Sequence, residues 1–393
     1  MYRLSLGSSK ITLKNSLLIF SDTPFYQKNG NVSVFEPTLR EIESISDLFS
    51  KTLWLSYIRG IHSENNARPP HVPSIYLKPL PDWRGGKLWI DKIKVLFSLP
   101  IQFFILIREI KNAELIHVRG PSVPALIALI TSFVFPKKIF WYKYAGDWNE
   151  KKTPLAFCLQ RWILLHQRRK NVYITINGHW ENLHDRFLIW ENPCLTEEEL
   201  KQASEIVKDF NEKWCICFVG NLAKFKGASR LVNALAKPEI ASKIQALWIV
   251  GDGEEMESLR ILSPSLPYPL HLPGSMPRTA IFSSVYARSH FLVLPSESEG
   301  FPKVVAEAAA HRCIPIVTNV SAINQIIQHG FNGFLLKDPS SDTISQIFLE
   351  EIFSKSAVEL KKIADNARLF SERFTYERFR DKVRSVFIEN LQL

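Results

Sequence analysis

The chain has 393 residues, more than one ordinary core encloses, so two domains are expected. Hydrophobic and aromatic contents of 46% and 12% exclude a disordered chain. The formal charge of +10 favours an anionic partner; with no zinc-finger, RRM or helix-turn-helix pattern, nucleic acid gives way to phosphorylated small molecules or anionic lipid.

Alternating strand and helix patterns point to parallel sheets covered by helices. A strand over 16–20 runs into Ser21-Asp22-Thr23-Pro24. A helix over 34–51, a strand over 53–58 and a proline-rich loop over 68–81 follow. Helices over 87–111 and 123–135 precede strands over 115–118 and 138–144. An apolar run over 155–165 ends at Arg168-Arg169-Lys170, cations that suit a helix C-terminus. A strand over 172–176 reads as the last of this half. From 137 to 170, nine basic residues stand against Asp147 and Glu150, a net of +7. With Trp141, Trp148 and Trp162 in the same stretch, it reads either as solvated helix ends or as a face for an anionic membrane or acceptor.

A polar, acidic stretch from Asn192 to Lys213 breaks the apolar pattern and reads as the interdomain connection. The second half restarts with strands over 214–219, 246–250, 271–272, 291–294 and 314–317. Helices are expected over 228–236, 254–262, 279–287, from Pro302, and over 322–329; an amphipathic helix over 375–393 closes the chain.

The cysteines, Cys158, Cys194, Cys215, Cys217 and Cys313, have neither metal-finger nor disulfide spacing. Residues 1–7 lack the apolar core of a signal peptide. The apolar runs 95–107 and 123–135 fall short of the roughly 20 residues that cross a bilayer. A cytoplasmic protein is expected, free or peripheral on the inner face of the membrane. His179 and His184 with Asp185 do not align on a helix and read as ordinary polar residues.

The chemistry concentrates at strand ends of the second half. The strand over 214–219 ends in Gly220-Asn221-Leu222-Ala223-Lys224-Phe225-Lys226-Gly227, the next in Gly251-Asp252-Gly253. A third leads into Glu299-Gly300-Phe301-Pro302-Lys303 and on to Glu307. Such loops converge on the crevice where parallel sheets bind ligands. Lys224, Lys226 and Lys303 can neutralise phosphate, the glycines allow close backbone approach, and Pro302 opens a helix whose free N–H groups attract anions. Glu299 and Glu307 would grip two parts of one ligand, as a sugar nucleotide requires.

In order, Gly220 to Gly227, Ile249 to Gly253, Leu272-Pro273-Gly274, Glu299 to Glu307, Pro315 to Thr318 and Gly330-x-Asn332-Gly333 resemble the donor domain of retaining glycosyltransferases of family 4, glycosyl transferases group 1. The likeness spans roughly 214–336. It implies an α/β chain of GT-B architecture, two Rossmann-like domains facing a central cleft. The expected division is an acceptor-side domain over 1–195, a linker over 196–212, a donor domain over 213–372 and a returning helix over 373–393. It further implies that Lys226 contacts the donor diphosphate and Glu307 the ribose. Glu299, with the Gly300-Phe301-Pro302 backbone, would hold the sugar and phosphates; Gly220, Asn221, Lys224, Gly251 and Lys303 would line the site.

The chain departs from its relatives in three places. Asn221 stands where arginine is usual, leaving Lys224 to substitute. Asn29-Gly30-Asn31 is the only counterpart of a Gly-Gly loop. Where a histidine often follows the strand over 138–144, this chain has Ala145-Gly146-Asp147-Trp148. Asp147 is then the candidate beside the reacting carbon, or a helix N-cap. With no D-x-D pair, transfer without metal or cofactor is expected, from a UDP- or GDP-hexose to a glycan or lipid-linked acceptor, in cell-surface polysaccharide synthesis. The rival readings are a sugar-nucleotide or glycan-binding protein without catalysis, and an epimerase or phosphorylase on the same scaffold.

Overall fold

The computed structural model describes residues 15–28, 31–59, 67–80, 89–150 and 153–389. Asn29, Gly30 and residues 1–7 lie outside them. The first half contains β1 (Ser16–Phe20), β2 (Phe25–Lys28), β3 (Asn31–Phe35), α1 (Glu36–Ser46), β4 (Lys51–Arg59), β5 (Ala67–Arg68) and β6 (Ile75–Leu80). It continues through α2 (Trp89–Lys111), β7 (Leu115–Gly120), α3 (Val123–Thr131), β8 (Ile139–Tyr144), α4 (Leu155–His166), β9 (Val172–Ile176) and β10 (Phe187–Ile189).

These strands form a ten-stranded sheet ordered β10-β9-β8-β7-β1-β4-β2-β3-β5, with β6 also on β4. Strands β1, β4 and β6 to β10 pair in parallel. Alternate residues divide between two buried faces, as expected of a sheet covered on both sides. Leu18, Phe20, Ile116, Val118, Phe140 and Tyr142 pack under α2 to α4. Leu17, Ile19, Leu115 and Trp141 face α1 and the chain's C-terminal end.

After α5 (Glu197–Ser204), the second half alternates β11 (Trp214–Val219), α6 (Ala228–Leu235), α7 (Pro238–Ala241), β12 (Ile244–Val250), α8 (Met256–Leu262) and β13 (Leu270–Gly274). Then come α9 (Arg278–Ala280), continued as a π turn to Tyr286, β14 (Phe291–Leu294), α10 (Lys303–Ala310), β15 (Ile314–Thr318) and β16 (Phe334–Leu336). Helices α11 (Ser341–Gln346), α12 (Ala357–Ser371) and α13 (Tyr376–Val383) close the chain. The sheet, ordered β13-β12-β11-β14-β15-β16, is parallel throughout. Its order reverses between β11 and β14, which opens the ligand crevice beyond their carboxyl ends.

The two passages between the halves lie side by side. Cys194 and Leu195 donate backbone hydrogen bonds to Phe374 O at 2.9 and 3.2 Å, and Tyr376 N donates to Leu195 O at 2.8 Å. Beyond this joint α13 returns to the first sheet, where Phe379 and Phe387 meet Trp141 with ring centroids 6.1 and 5.0 Å apart.

Several expectations are corrected. The helix over 34–51 is β3 followed by α1, which starts where Pro37 suits a first turn. The proline-rich loop contains β6, an edge strand that tolerates Pro79. Strand β10 follows the one read as last. The connection carries α5, announced by a Thr196/Glu199 capping box. Over 322–329 only a short 3-10 turn forms, at Ile323–Gln325. There Asn332 replaces helical bonding: its side chain accepts from Gln328 N at 2.7 Å and donates to Ile326 O at 3.0 Å.

Candidate active site

Strand β11 delivers the loop Gly220–Gly227, and β14 the turn that leads into α10. Gly251, at the end of β12, lies directly on the first loop: with φ +140°, a Cβ there would come within 1.8 Å of Gly220 O. The missing side chain is therefore required by chain-on-chain packing. Asn221 and Lys224 are exposed on this loop.

Arg230 staples the two loops together. It donates to Lys224 O at 3.0 Å, Pro295 O at 2.9 Å and Glu297 at 3.0 Å, while Glu297 N donates to Phe225 O at 2.8 Å. Its place in the first turn of α6, where the helix dipole disfavours a cation, is the sequence signal that such partners exist. The staple brings Lys226 Nζ and Glu299 Oε1 into contact, with side chains 19% and 8% exposed. Sequence reasoning assigned both to the donor; the fold makes them an ion pair.

Across the cleft stands the loop that follows β8. A Cβ on Gly300 would come within 2.3 Å of Ala145 O and 3.6 Å of Gly146 Cα. Ser298 Oγ donates to Glu150 at 3.5 Å. Asp147, the residue after Gly146, therefore stands beside the Glu299 turn. Its Oδ1 accepts from Asn149 N at 2.9 Å. That is a local turn, and no helix starts at Asp147, so the N-cap alternative is excluded.

Phe301 and Pro302 are buried. The Phe301 ring stacks on Phe374 with centroids 4.7 Å apart, so the backbone is what this residue can offer a ligand. Pro302 is the N-cap, and α10 begins one residue later than expected. Glu307 accepts from Arg278 Nε at 3.3 Å. Arg278 also pairs with Glu199, donates to Cys194 O at the joint and lies 3.8 Å over the Phe282 ring. No local pattern announces Arg278, because its partners are distant in sequence.

Lys303 is the main correction. It does not stand free for phosphate: its ammonium donates to Pro37 O at 3.0 Å and lies 3.6 Å from Glu41 of α1. Glu41 also accepts from Arg119 and Lys143, each at 2.6 Å. Burial alone would raise the Glu41 pKa, but Arg119, Lys143 and Lys303 outweigh it and hold the carboxyl well below 4.5. Burial, against the pull of Glu41, brings Lys143 down to about 7. Of this pair the ammonium is the first to lose its charge. Buried His117 beside them is held neutral by burial and by Arg119.

The remaining features are structural. His184 Nε2 lies 3.0 Å from Leu164 O, and His184 Nδ1 accepts from Arg186 N at 3.2 Å. Trp141 and Trp148 are core residues; among the three tryptophans of the basic stretch Trp162 alone is exposed. All five cysteines are free thiols.

Two nucleotide-type halves whose strand-end loops meet across a cleft define the GT-B class of glycosyltransferase. The crystal structure of Anabaena HepE in complex with UDP is similar with a TM-score of 0.63 at 15% identity, covering 95% of this chain and 100% of that one. Sucrose-phosphate synthase from Thermosynechococcus elongatus gives 0.68 at 13%, covering 96% and 99%. In sequence, a glycosyltransferase of Haemophilus influenzae is 30% identical over 305 residues, 75% of this chain and 81% of the relative. Residues 199–369 match the family Glycosyl transferases group 1, and the chain belongs to that family of transferases.

Because Ala145 O is a backbone atom and cannot swing aside, Gly300→Ala is expected to force the facing loops apart. Transfer should fall by about 10²-fold, the cost of a 1 Å misplacement, with kcat losing more than donor affinity. Comparing kcat with the donor Kd checks this; an unimpaired kcat would remove the contact from the catalytic arrangement.

Proposed function

We propose that the protein transfers a hexosyl group from a UDP- or GDP-sugar to a glycan or lipid-linked acceptor, with retention at the anomeric carbon. The observation that carries the reading is the Lys226–Glu299 pair, held at the cleft beside Gly300, which packs against Ala145 and Gly146 of the facing loop. When the donor binds, its diphosphate takes Lys226 from Glu299. The released carboxylate then accepts hydrogen bonds from sugar hydroxyls. Glu307, poised by Arg278, binds the ribose.

As the bond from the anomeric carbon to the diphosphate breaks, charge grows on the leaving oxygen. Lys226 and the free N–H groups of the turn before α10 stabilise it. The acceptor oxygen bonds to the same face of the sugar, and its proton passes to the departing phosphate oxygen. No covalent enzyme intermediate is needed. Asp147, on the facing loop, orients the acceptor hydroxyl.

A thermal-shift screen of UDP-, GDP-, ADP- and dTDP-sugars tests the donor class. The correct donor at 100 times its Kd should add about 2.7 kcal/mol of stability. No response to any donor would defeat the reading. Epimerised donor formed without acceptor would favour the epimerase scaffold instead.

A further inference from the structure

The outer layer of the first half carries an apolar face that its own core does not need. On α4, Leu155, Leu159 and Trp162 follow one stripe, with Leu155 88% and Trp162 58% exposed. On α3 and the turn after it, Ile130, Phe133 and Val134 are exposed, and on α2 Ile101 and Phe104, the last 69%. Helix α3 packs against both α2 and α4, so the three stripes join. Isolated exposed apolar residues are ordinary; a surface of this kind spanning three neighbouring helices is an interaction site.

The charge around this face is mostly positive. Strands β7, β8 and β9 are parallel, so α2, α3 and α4, each leading into one of them, all end at the same edge of the layer. Two cations there serve the fold. Lys138 donates to Lys111 O at 3.0 Å and Ala113 O at 2.7 Å; Arg169 donates to Ser132 O at 2.7 Å. Lys111, Lys137 and Lys170 are exposed and have no carboxylate partner among the described residues. Of the nearby carboxylates, Glu109 pairs with Lys78, and Glu114 accepts from Ser16 and leaves the lysines in excess. No helix among the described residues is long and apolar enough to cross a membrane.

We propose that this face docks the protein on an anionic lipid bilayer. The helices lie along the surface, the apolar stripes enter the acyl boundary and the lysine edge meets the headgroups. A second copy of the chain, which carries the same cations, would bring like charges together. An anionic surface complements them.

The pose has a consequence that rests on the transfer reaction proposed above. Helix α3 begins just after Gly120, whose carbonyl accepts from Ala145 N at 2.8 Å, and α4 begins shortly after the Asp147 loop. Their N-terminal ends therefore adjoin the acceptor side of the cleft. A lipid-linked acceptor held in the same bilayer would present its head group there.

The test is co-sedimentation of the full chain with phosphatidylcholine vesicles, with and without about 30 mol % phosphatidylglycerol. Wild type should bind the anionic vesicles at least about tenfold better. A variant with Phe104→Ser, Phe133→Ser and Trp162→Ser should lose that binding, as should one with Lys111→Glu, Lys137→Glu and Lys170→Glu. Circular dichroism and the donor thermal shift should match wild type in both, separating loss of docking from loss of the donor site. Wild type that ignores anionic vesicles would overturn the proposal. So would an apolar variant that still binds, or a dimer that the apolar variant dissociates.

Discussion

Lys226→Ala and Glu299→Ala are each expected to reduce sugar transfer by at least about 10²–10³-fold, the usual loss when one stabiliser of developing charge is removed. Both residues sit where the loops after β11 and β14 meet, and each is the other's ion-pair partner. Removing one leaves the other unpaired, a stability loss of about 1–3 kcal/mol, so both variants should fold. Donor affinity separates the two roles. Lys226→Ala should weaken binding of the bare nucleoside diphosphate, whereas Glu299→Ala should spare it and weaken binding of the sugar nucleotide. If Lys226→Ala bound the diphosphate as wild type does, the lysine would only position Glu299. Near-normal turnover in either variant would remove the pair from the site.

Glu41→Ala should be the most destabilising single change at the domain boundary. It leaves Arg119, Lys143 and Lys303 without their shared carboxylate in a buried setting, which typically costs about 3–5 kcal/mol. Chemical denaturation reads that loss directly. The pH dependence carries two signatures of opposite origin. Glu41 is held well below 4.5, so its stabilisation is complete above that value and lost as pH falls through the depressed one. Lys143 is brought from 10.5 to about 7; between these the unfolded chain binds the extra proton, so stability rises with pH through that window. Glu41→Gln should flatten the acid limb, and Lys143→Met the alkaline one. Acid limbs of equal slope in wild type and Glu41→Gln would show that the cluster contributes little.

The same cluster marks the limit of sequence reading. The apolar pattern gives strands β11 and β14 at their observed bounds and β15 within a residue, because strands buried on both faces are nearly continuous apolar runs. The loops after β11 and β14 stand out in the sequence as glycine- and charge-rich strand ends, and the fold brings Lys226 and Glu299 together there. Helix α12 was missed although its Ser356/Glu359 capping box is written locally. Edge strands β6 and β10 were missed for a different reason: pairing with a neighbour, more than their own pattern, makes them strands.

What the sequence by itself determined is the parallel α/β class, the glycine- and lysine-rich loops at strand ends and the family likeness, all carried by residues close together in the chain. What the tertiary structure alone decided is how those residues are engaged. Lys303 looked like a phosphate ligand, yet it binds Pro37 O, 266 positions away. Gly251 and Gly300 looked like room for a ligand; the chain itself fills that space, with Gly220 O and Ala145 O. Arg278 joins Glu307 to the interdomain joint with no local signal at all. The reason is physical. Periodicity and turn chemistry are set by neighbours in sequence, whereas a buried charge takes whichever partner folding brings within a few ångströms.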